Sequence, residues 1–180
     1  MIPTISGRQL HLRPMGKNDA DALFGLFSDP VAMRYWSFLP YTELSQAEAH
    51  LTRNAAFAEK RENMPWGIEK DGQLVGTVTL HDMNLECGRA EIGYMLARSL
   101  WGQGHAREAA TLAIDHAFGP LGLRRLEADI DPRNLASQKL LERLGFVREG
   151  VLRERWKVGD EISDTALYGL LKRDWEEERA

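Results

Sequence analysis

The sequence predicts one α/β (α+β) domain, on three observations. Short runs of alternating apolar residues meet across two-residue turns, Asp71-Gly72 and Gly159-Asp160, the pattern of β-hairpins. Other stretches repeat apolar residues at three and four positions, as one buried face of a helix requires. The 180 residues contain no repeat, linker or low-complexity tract, and that length suits a single core.

The elements follow in order. Gln9–Pro14 alternates into a first strand with Leu10 and Leu12 on one face. Asp19–Ser28 reads as a short helix with Leu23, Phe24 and Phe27 inward, broken by Asp29-Pro30; Val31–Tyr35 is expected to add another helical turn. An aromatic loop, Trp36 to Tyr41, leads to a long helix from Ser45 to about Arg61, whose packed face is expected to be Ala47, Leu51, Ala55 and Ala58. Trp66–Lys70 and Gln73–His81 form the first hairpin. Ala90–Ala97 is a strand, Arg107–Phe118 a helix ended by Gly119-Pro120, and Arg125–Asp131 the next strand. Asn134 caps a helix with an apolar stripe of Leu140, Leu141 and Leu144, and Gly145 suits its C-terminal end. Phe146–Val158 and Glu161–Leu171 close the chain as a hairpin.

Composition narrows the function. The 43% hydrophobic and 28% charged content is that of an ordinary globular protein. No apolar run approaches the roughly 20 residues of a membrane span, and the N-terminus lacks a signal-peptide pattern, so no membrane partner and no export are expected. The single cysteine, Cys87, excludes an internal disulfide and fits a reducing cytoplasm. A net charge of −4 argues against nucleic acid and is compatible with a cationic amine substrate.

The most informative stretch runs from Glu91 to Ala110: an apolar strand, a loop, and a glycine turn that opens a helix. Gly102 and Gly104 flank Gln103, and Ala106 follows. Small residues at alternate positions let backbone N–H groups face a ligand, and the helix adds its own unpaired donors and positive dipole end. Such a turn suits phosphate or pyrophosphate. No Gly-Lys-Ser/Thr ending is present, so it is no P-loop; the third spaced glycine of the dinucleotide fingerprint is also missing. The window Trp101-Gly102-Gln103-Gly104-His105-Ala106 resembles the pyrophosphate loop of the GNAT acyltransferases, Gln/Arg-x-x-Gly-x-Gly/Ala, with Trp101 in place of the usual first residue. A second run, Asn134-x-x-Ser137 followed by Leu144-Gly145-Phe146-x-x-Glu149-Gly150, resembles another block of the same family. The Trp-Gly pair and the Glu91-Ile-Gly-Tyr94 block look like the branch of ribosomal-protein alanine N-acetyltransferases (RimJ/RimL-like).

This resemblance, which covers most of the chain, implies a mixed, mostly antiparallel sheet flanked by helices, whose fourth and fifth strands (Ala90–Ala97 and Arg125–Asp131) splay apart to admit an acyl thioester. It implies acetyl-CoA as co-substrate, no metal, and direct transfer to a primary amine. The backbone of Tyr94, Met95 and Leu96 would pair with pantetheine. Gly102, Gln103, Gly104, His105, Ala106 and Arg107 would cradle the pyrophosphate, and Asn134 would bond the arm. His105 is expected to act through its backbone, with an exposed side chain.

Catalytic groups are less determined. Glu127, Asp129 and Asp131 alternate on one strand and therefore share a face. Glu91 faces the same gap from the other strand. Asp129 matches a position where some relatives carry a base; a solvated or structural carboxylate is the favoured reading of each acid, ahead of a proton relay through water or attraction of a cation, and the alternative is that no residue is essential and bulk water takes the proton. Many relatives carry a tyrosine acid where this chain has Leu141. Ser137 is the substitute, unless its hydroxyl only bonds the helix backbone; Tyr94 and Tyr168 are weaker candidates. Tyr35, Trp36, Phe38 and Tyr41 form either a substrate wall for a cation or a packing cluster. Glu154, Trp156 and Asp164 come from the closing hairpin; the branch's catalytic Glu falls near Trp156, which weakens a ribosomal-protein substrate. Acceptors thus include a protein N-terminal α-amine, a polyamine and an aminoglycoside, and a non-catalytic acyl-CoA sensor is a further reading. A homodimer through the closing hairpin and the Trp36 loop is compatible with the branch.

Overall fold

The computed structural model describes residues 2–177. Its strands are β1 (Ile5–Ser6), β2 (His11–Pro14), β3 (Met64–Lys70), β4 (Gln73–Asn84), β5 (Arg89–Leu96), β6 (Arg125–Ile130), β7 (Val147–Val158) and β8 (Glu161–Leu171). They form one sheet in the order β1-β2-β3-β4-β5-β6-β8-β7. The helices are α1 (Ala20–Phe27), α2 (Leu44–Glu59), α3 (His105–Phe118), α4 (Leu135–Arg143) and α5 (Lys172–Glu177). All neighbouring strands run antiparallel except β5 and β6, which are parallel and joined by the α3 crossover.

Two cores sit on the two faces of this sheet. On one face, Ala109, Ala110, Ala113, Ile114 and Phe118 of α3 and Leu141 of α4 pack on Leu10, Leu12, Trp66, Ile68, Val78, Leu80, Ile92, Leu126 and Tyr168. The alanines of α3 let its backbone approach the sheet closely. On the other face, Leu23, Leu26 and Phe27 of α1 and Ala47 and Leu51 of α2 pack with Tyr41 and Met95. β5 serves both cores because successive side chains alternate: Ile92 and Leu96 point to the first, Met95 to the second.

Local chemistry explains most boundaries. Asp71 and Gly72 both have positive φ, 51° and 77°, as the tight β3–β4 turn demands. The Asn134 side chain accepts from Ser137 N at 3.1 Å, capping α4, and Gly145 ends it at φ 83°. Three expectations need correction. Val31–Tyr35 forms turns instead of a helix: Asp29 Oδ1 accepts from Val31 N at 2.9 Å, a side-chain turn that competes with helical bonding. Ala55 is exposed, and the buried stripe of α2 is Ala47 and Leu51. The helix after the glycine turn begins two residues earlier than expected, at His105.

Candidate active site

The parallel ladder between β5 and β6 is short: Arg89↔Arg125, Ala90↔Leu126 and Glu91↔Glu127. Beyond it β5 follows β4 to Gly76↔Leu96, while β6 follows β8 to Ile130↔Ala166. The strands therefore open into a V with Glu91 and Glu127 at its apex, the splay that the resemblance implied. Register decides which backbone groups face the V. Ala97 N donates to Val75 O at 2.8 Å, so Leu96 and Gly76 are a non-hydrogen-bonded pair. Alternation then turns the N–H and C=O of Ile92, Tyr94 and Leu96 toward the gap and those of Met95 toward Thr77 on β4. Of the three backbone positions expected to hold pantetheine, Tyr94 and Leu96 fit and Met95 does not. The Leu96 carbonyl is already taken by Trp101 Nε1 at 2.7 Å.

That indole bond anchors the glycine loop to the end of β5. Gly102 and Gly104 adopt left-handed φ of 73° and 84°, and a Cβ built on either would meet nothing within 4 Å. The space over the turn is thus an open cradle. No side chain caps α3 at Gly104, and the first intrahelical bond is Glu108 N to Gly104 O at 3.1 Å. The N–H groups of His105, Ala106 and Arg107 therefore have no partner within the helix. Gln103 Nε2 folds back onto Ser99 O at 2.8 Å, so its side chain braces the loop. His105 corrects an expectation: its side chain is buried, 4% exposed, and Nδ1 finds no hydrogen-bond partner. Helical Cβ atoms lean toward the N-terminus, which tucks a first-turn side chain under the loop. An open cradle, free helix donors and an orphaned imidazole nitrogen fit a pyrophosphate.

The acids at the V are not equivalent. Glu127 is held by Arg89 Nη1 at 3.0 Å and Arg125 Nε at 2.8 Å. Asp129 Oδ1 accepts from Trp156 Nε1 at 3.2 Å and from the Thr165 hydroxyl, which ties β6 to the closing hairpin. Asp131 lies past the strand end, buried beneath Arg133, whose guanidinium holds its carboxyl below the usual range. Glu91 differs: among the described residues its one ion-pair partner is His81, with Nε2 at 3.6 Å. Burial pushes the Glu91 carboxyl above its ordinary value, opposed by His81 and reinforced by Asp129, Asp82 and Glu127. The structure thus brings Glu91, Glu127 and Asp129 together: two arginines neutralise Glu127, neutral donors hold Asp129, and Glu91 meets only His81.

On the opposite face of β5, Tyr94 reaches α4, and its hydroxyl lies 2.8 Å from Ser137 Oγ. Burial raises the Tyr94 phenol to about 12. Leu141, where relatives carry tyrosine, is fully buried in the core. A phenol is therefore present near this position, delivered from the strand.

The aromatic loop is a packing cluster. Phe27 is its hub, with ring centroids 5.0 Å from Trp36, 5.8 Å from Phe38, 5.4 Å from Tyr41 and 5.1 Å from His50. Tyr35 is the exposed ring of the loop, Trp36 and Phe38 being half-buried, and the guanidinium carbons of Arg34 and Arg133 lie 5.7 and 5.9 Å from its centroid. Glu154 is exposed at φ 52° in a bulge where β7 carries extra residues between Leu152 and Trp156, and its N–H bonds Asp164 Oδ1 at 2.8 Å. Sequence reasoning missed His81. It sits opposite Glu91 in the β4–β5 register, beside a cavity of about 520 Å³ lined by Phe57, Glu62, Asn63, His81, Asp82 and Met83. The signal was the hairpin register, obscured by a shift between His81 and Asn84.

Comparison with known proteins agrees with this geometry. Residues 9–147 match the family model described as acetyltransferase (GNAT) domain. The chain is 36% identical to the uncharacterized N-acetyltransferase p20 of Bacillus licheniformis, over 97% of this chain and 99% of that protein. Among solved structures, RimJ of Mycobacterium smegmatis in complex with CoA-disulfide superposes with a TM-score of 0.84 at 25% identity, over 96% of this chain and 89% of that one. A spermidine N-acetyltransferase from Vibrio cholerae in complex with CoA and spermine gives 0.83 at 25% identity, over 93% and 98%. Among the described residues, no helix is long and apolar enough to cross a membrane.

Proposed function

The chain belongs to the GNAT acetyltransferase family and is an acetyl-CoA-dependent N-acetyltransferase, and we propose that its acceptor is a small cationic primary amine of the polyamine kind. The observation that carries this reading is the pair of carboxylates at the V that no arginine neutralises, Glu91 and Asp129, with Glu62 and Asp82 lining the adjacent cavity. Such a set concentrates cations and orients an ammonium group toward the gap. The likeness to a spermidine N-acetyltransferase that was solved with spermine is in keeping with it.

In this mechanism acetyl-CoA supplies the activated thioester, and the protein supplies position and proton transfer. The N–H groups of His105, Ala106 and Arg107 hold the pyrophosphate with the α3 dipole. The outward backbone of Tyr94 and the N–H of Leu96 align the pantetheine arm, with Asn134 at the head of α4 beside it. Glu91 accepts a proton from the ammonium group; burial raises its carboxyl above the ordinary glutamate value, which makes it a stronger base than a free carboxylate. Tyr94 and Ser137, hydrogen-bonded to one another, form the acid that protonates the departing sulfur. Holding both substrates in line contributes several kcal/mol of barrier lowering by itself.

A protein N-terminal α-amine is the second reading, favoured by the likeness to RimJ. A thiol-release assay with acetyl-CoA against spermidine, aminoglycosides, free amino acids and alanine- or serine-starting peptides separates the two. Turnover highest with spermidine is the expected result. Preference for peptides transfers the acceptor to the second reading, and saturable CoA binding with no acceptor turned over favours a sensor.

A further inference from the structure

Transfer of an acetyl group to an ammonium releases two protons from nitrogen for each amide formed. The C–N bond forms, the C–S bond breaks, and the leaving thiolate takes one proton. The other must reach water. Glu91, the acid at the apex of the V, is partly buried and receives that proton, so it needs an exit.

His81 sits beside Glu91 on the cavity side, its side chain 31% exposed against 27% for Glu91. Its Nε2 is 3.6 Å from Glu91 Oε1, and its Nδ1 is 3.2 Å from Asp82 Oδ2. Asp82 is 75% exposed, and both His81 and Asp82 line the 520 Å³ cavity. The ring lies over Gly93, where an added Cβ would stand 3.5 Å from Nε2. The three residues bring ligand atoms within 4.8 Å of one another, close enough for a metal. The carboxylates, however, meet opposite ring nitrogens, while a metal would draw both to about 2 Å from one point. An imidazole so placed takes a proton on one nitrogen and gives one up from the other. The other groups facing Glu91 are committed elsewhere: Glu127 to Arg89 and Arg125, Asp129 to Trp156 and Thr165.

We propose that His81 is a positioning residue of the acetyl transfer, which orients Glu91 and conducts its proton through the imidazole to the water of the Asp82 cavity. This rests on the amine acetylation proposed above. At 3.6 Å the Glu91 contact is longer than a hydrogen bond, and a small approach of the ring closes it on substrate binding.

Two measurements test it. In the free protein, the Glu91 carboxyl is followed by NMR through a pH titration, with and without His81→Gln; its midpoint is expected to rise in the variant, because the carboxyl loses the neighbour that favours its charged form. In turnover, His81→Gln is expected to lower kcat about tenfold with the KM for acetyl-CoA unchanged and to displace the acidic limb of the pH profile. Added imidazole is expected to restore much of the activity of His81→Ala and to leave the wild type unaffected. An unmoved Glu91 midpoint, a wild-type pH profile in His81→Gln, or no rescue of a folded His81→Ala each overturns the proposal. A wild type that acetylates no amine instead overturns the transfer reading on which it rests, and the free-protein titration, which needs no turnover, tells the two failures apart.

Discussion

Two regions along β5 spend their groups on opposite purposes. Beneath α1 and α2, Phe27, Trp36, Phe38, Tyr41 and His50 close ring on ring, and even the His50 imidazole is bonded, at 2.7 Å from the Tyr41 hydroxyl. At the V, a few ångströms along the same strand, the Ile92 carbonyl and the backbone of Tyr94 have no strand to meet and Glu91 has no arginine. The closed region holds the helices on the sheet; the open one keeps polar groups available. The lesson is that a buried aromatic cluster beside an active site need not belong to it, and that unmet hydrogen-bonding capacity locates chemistry better than residue type does.

The largest expected effect breaks the closed side. Phe27→Ala empties the hub of the cluster and is expected to cost about 3–5 kcal/mol, lowering the melting temperature by roughly 10 °C, with acetyl-CoA affinity retained. Calorimetry with a CoA-binding titration checks it; affinity lost in step with stability would join the two regions into one unit. Next comes the open side. Gly104→Glu sets a carboxylate in the cradle and is expected to weaken acetyl-CoA binding by at least about 100-fold, close to 3 kcal/mol. Gly104→Ala carries only the left-handed strain, about 1–2 kcal/mol, so its affinity separates strain from charge.

The smallest effect sharpens the contrast through pH. Because Glu91 is raised in the folded state above its ordinary 4.5, the fold favours the protonated acid. Wild-type stability therefore falls as pH rises from the ordinary glutamate range through the folded value, and the full penalty applies above it. Glu91→Gln is expected to melt higher than wild type at neutral pH and equally below about pH 4, where both states are protonated. A variant less stable at neutral pH would make Glu91 a structural residue.

Much of this was legible because it was local. The Asp71-Gly72 turn, the Asn134 cap and the Gly145 stop act within a few residues and could be read from them. Val31–Tyr35 misleads although local, since Asp29 stands only two residues before the N–H it bonds, whereas the exposure of Ala55 depends on what packs against α2. Alternation put Glu127 and Asp129 on one face, yet the feature that separates them from Glu91 is distant: Arg89 reaches Glu127 from 38 residues away. His105 misled for a related reason, since its position in the motif says where its N–H points and nothing about what its ring packs on.

The V also places an edge in the middle of a sheet. Edge strands invite other strands to add to them, and proteins ordinarily hide or charge them against aggregation. Here the exposed edge of β5 is walled by β6 and α4, so a folded neighbour cannot dock along it, whereas a thin flexible chain can slide in. A ligand that completes the ladder would behave as a removable ninth strand. It should stabilise the whole fold by mass action, by roughly 2.7 kcal/mol at a hundred times its dissociation constant. Cofactor supply would then govern both the rate of the enzyme and its lifetime.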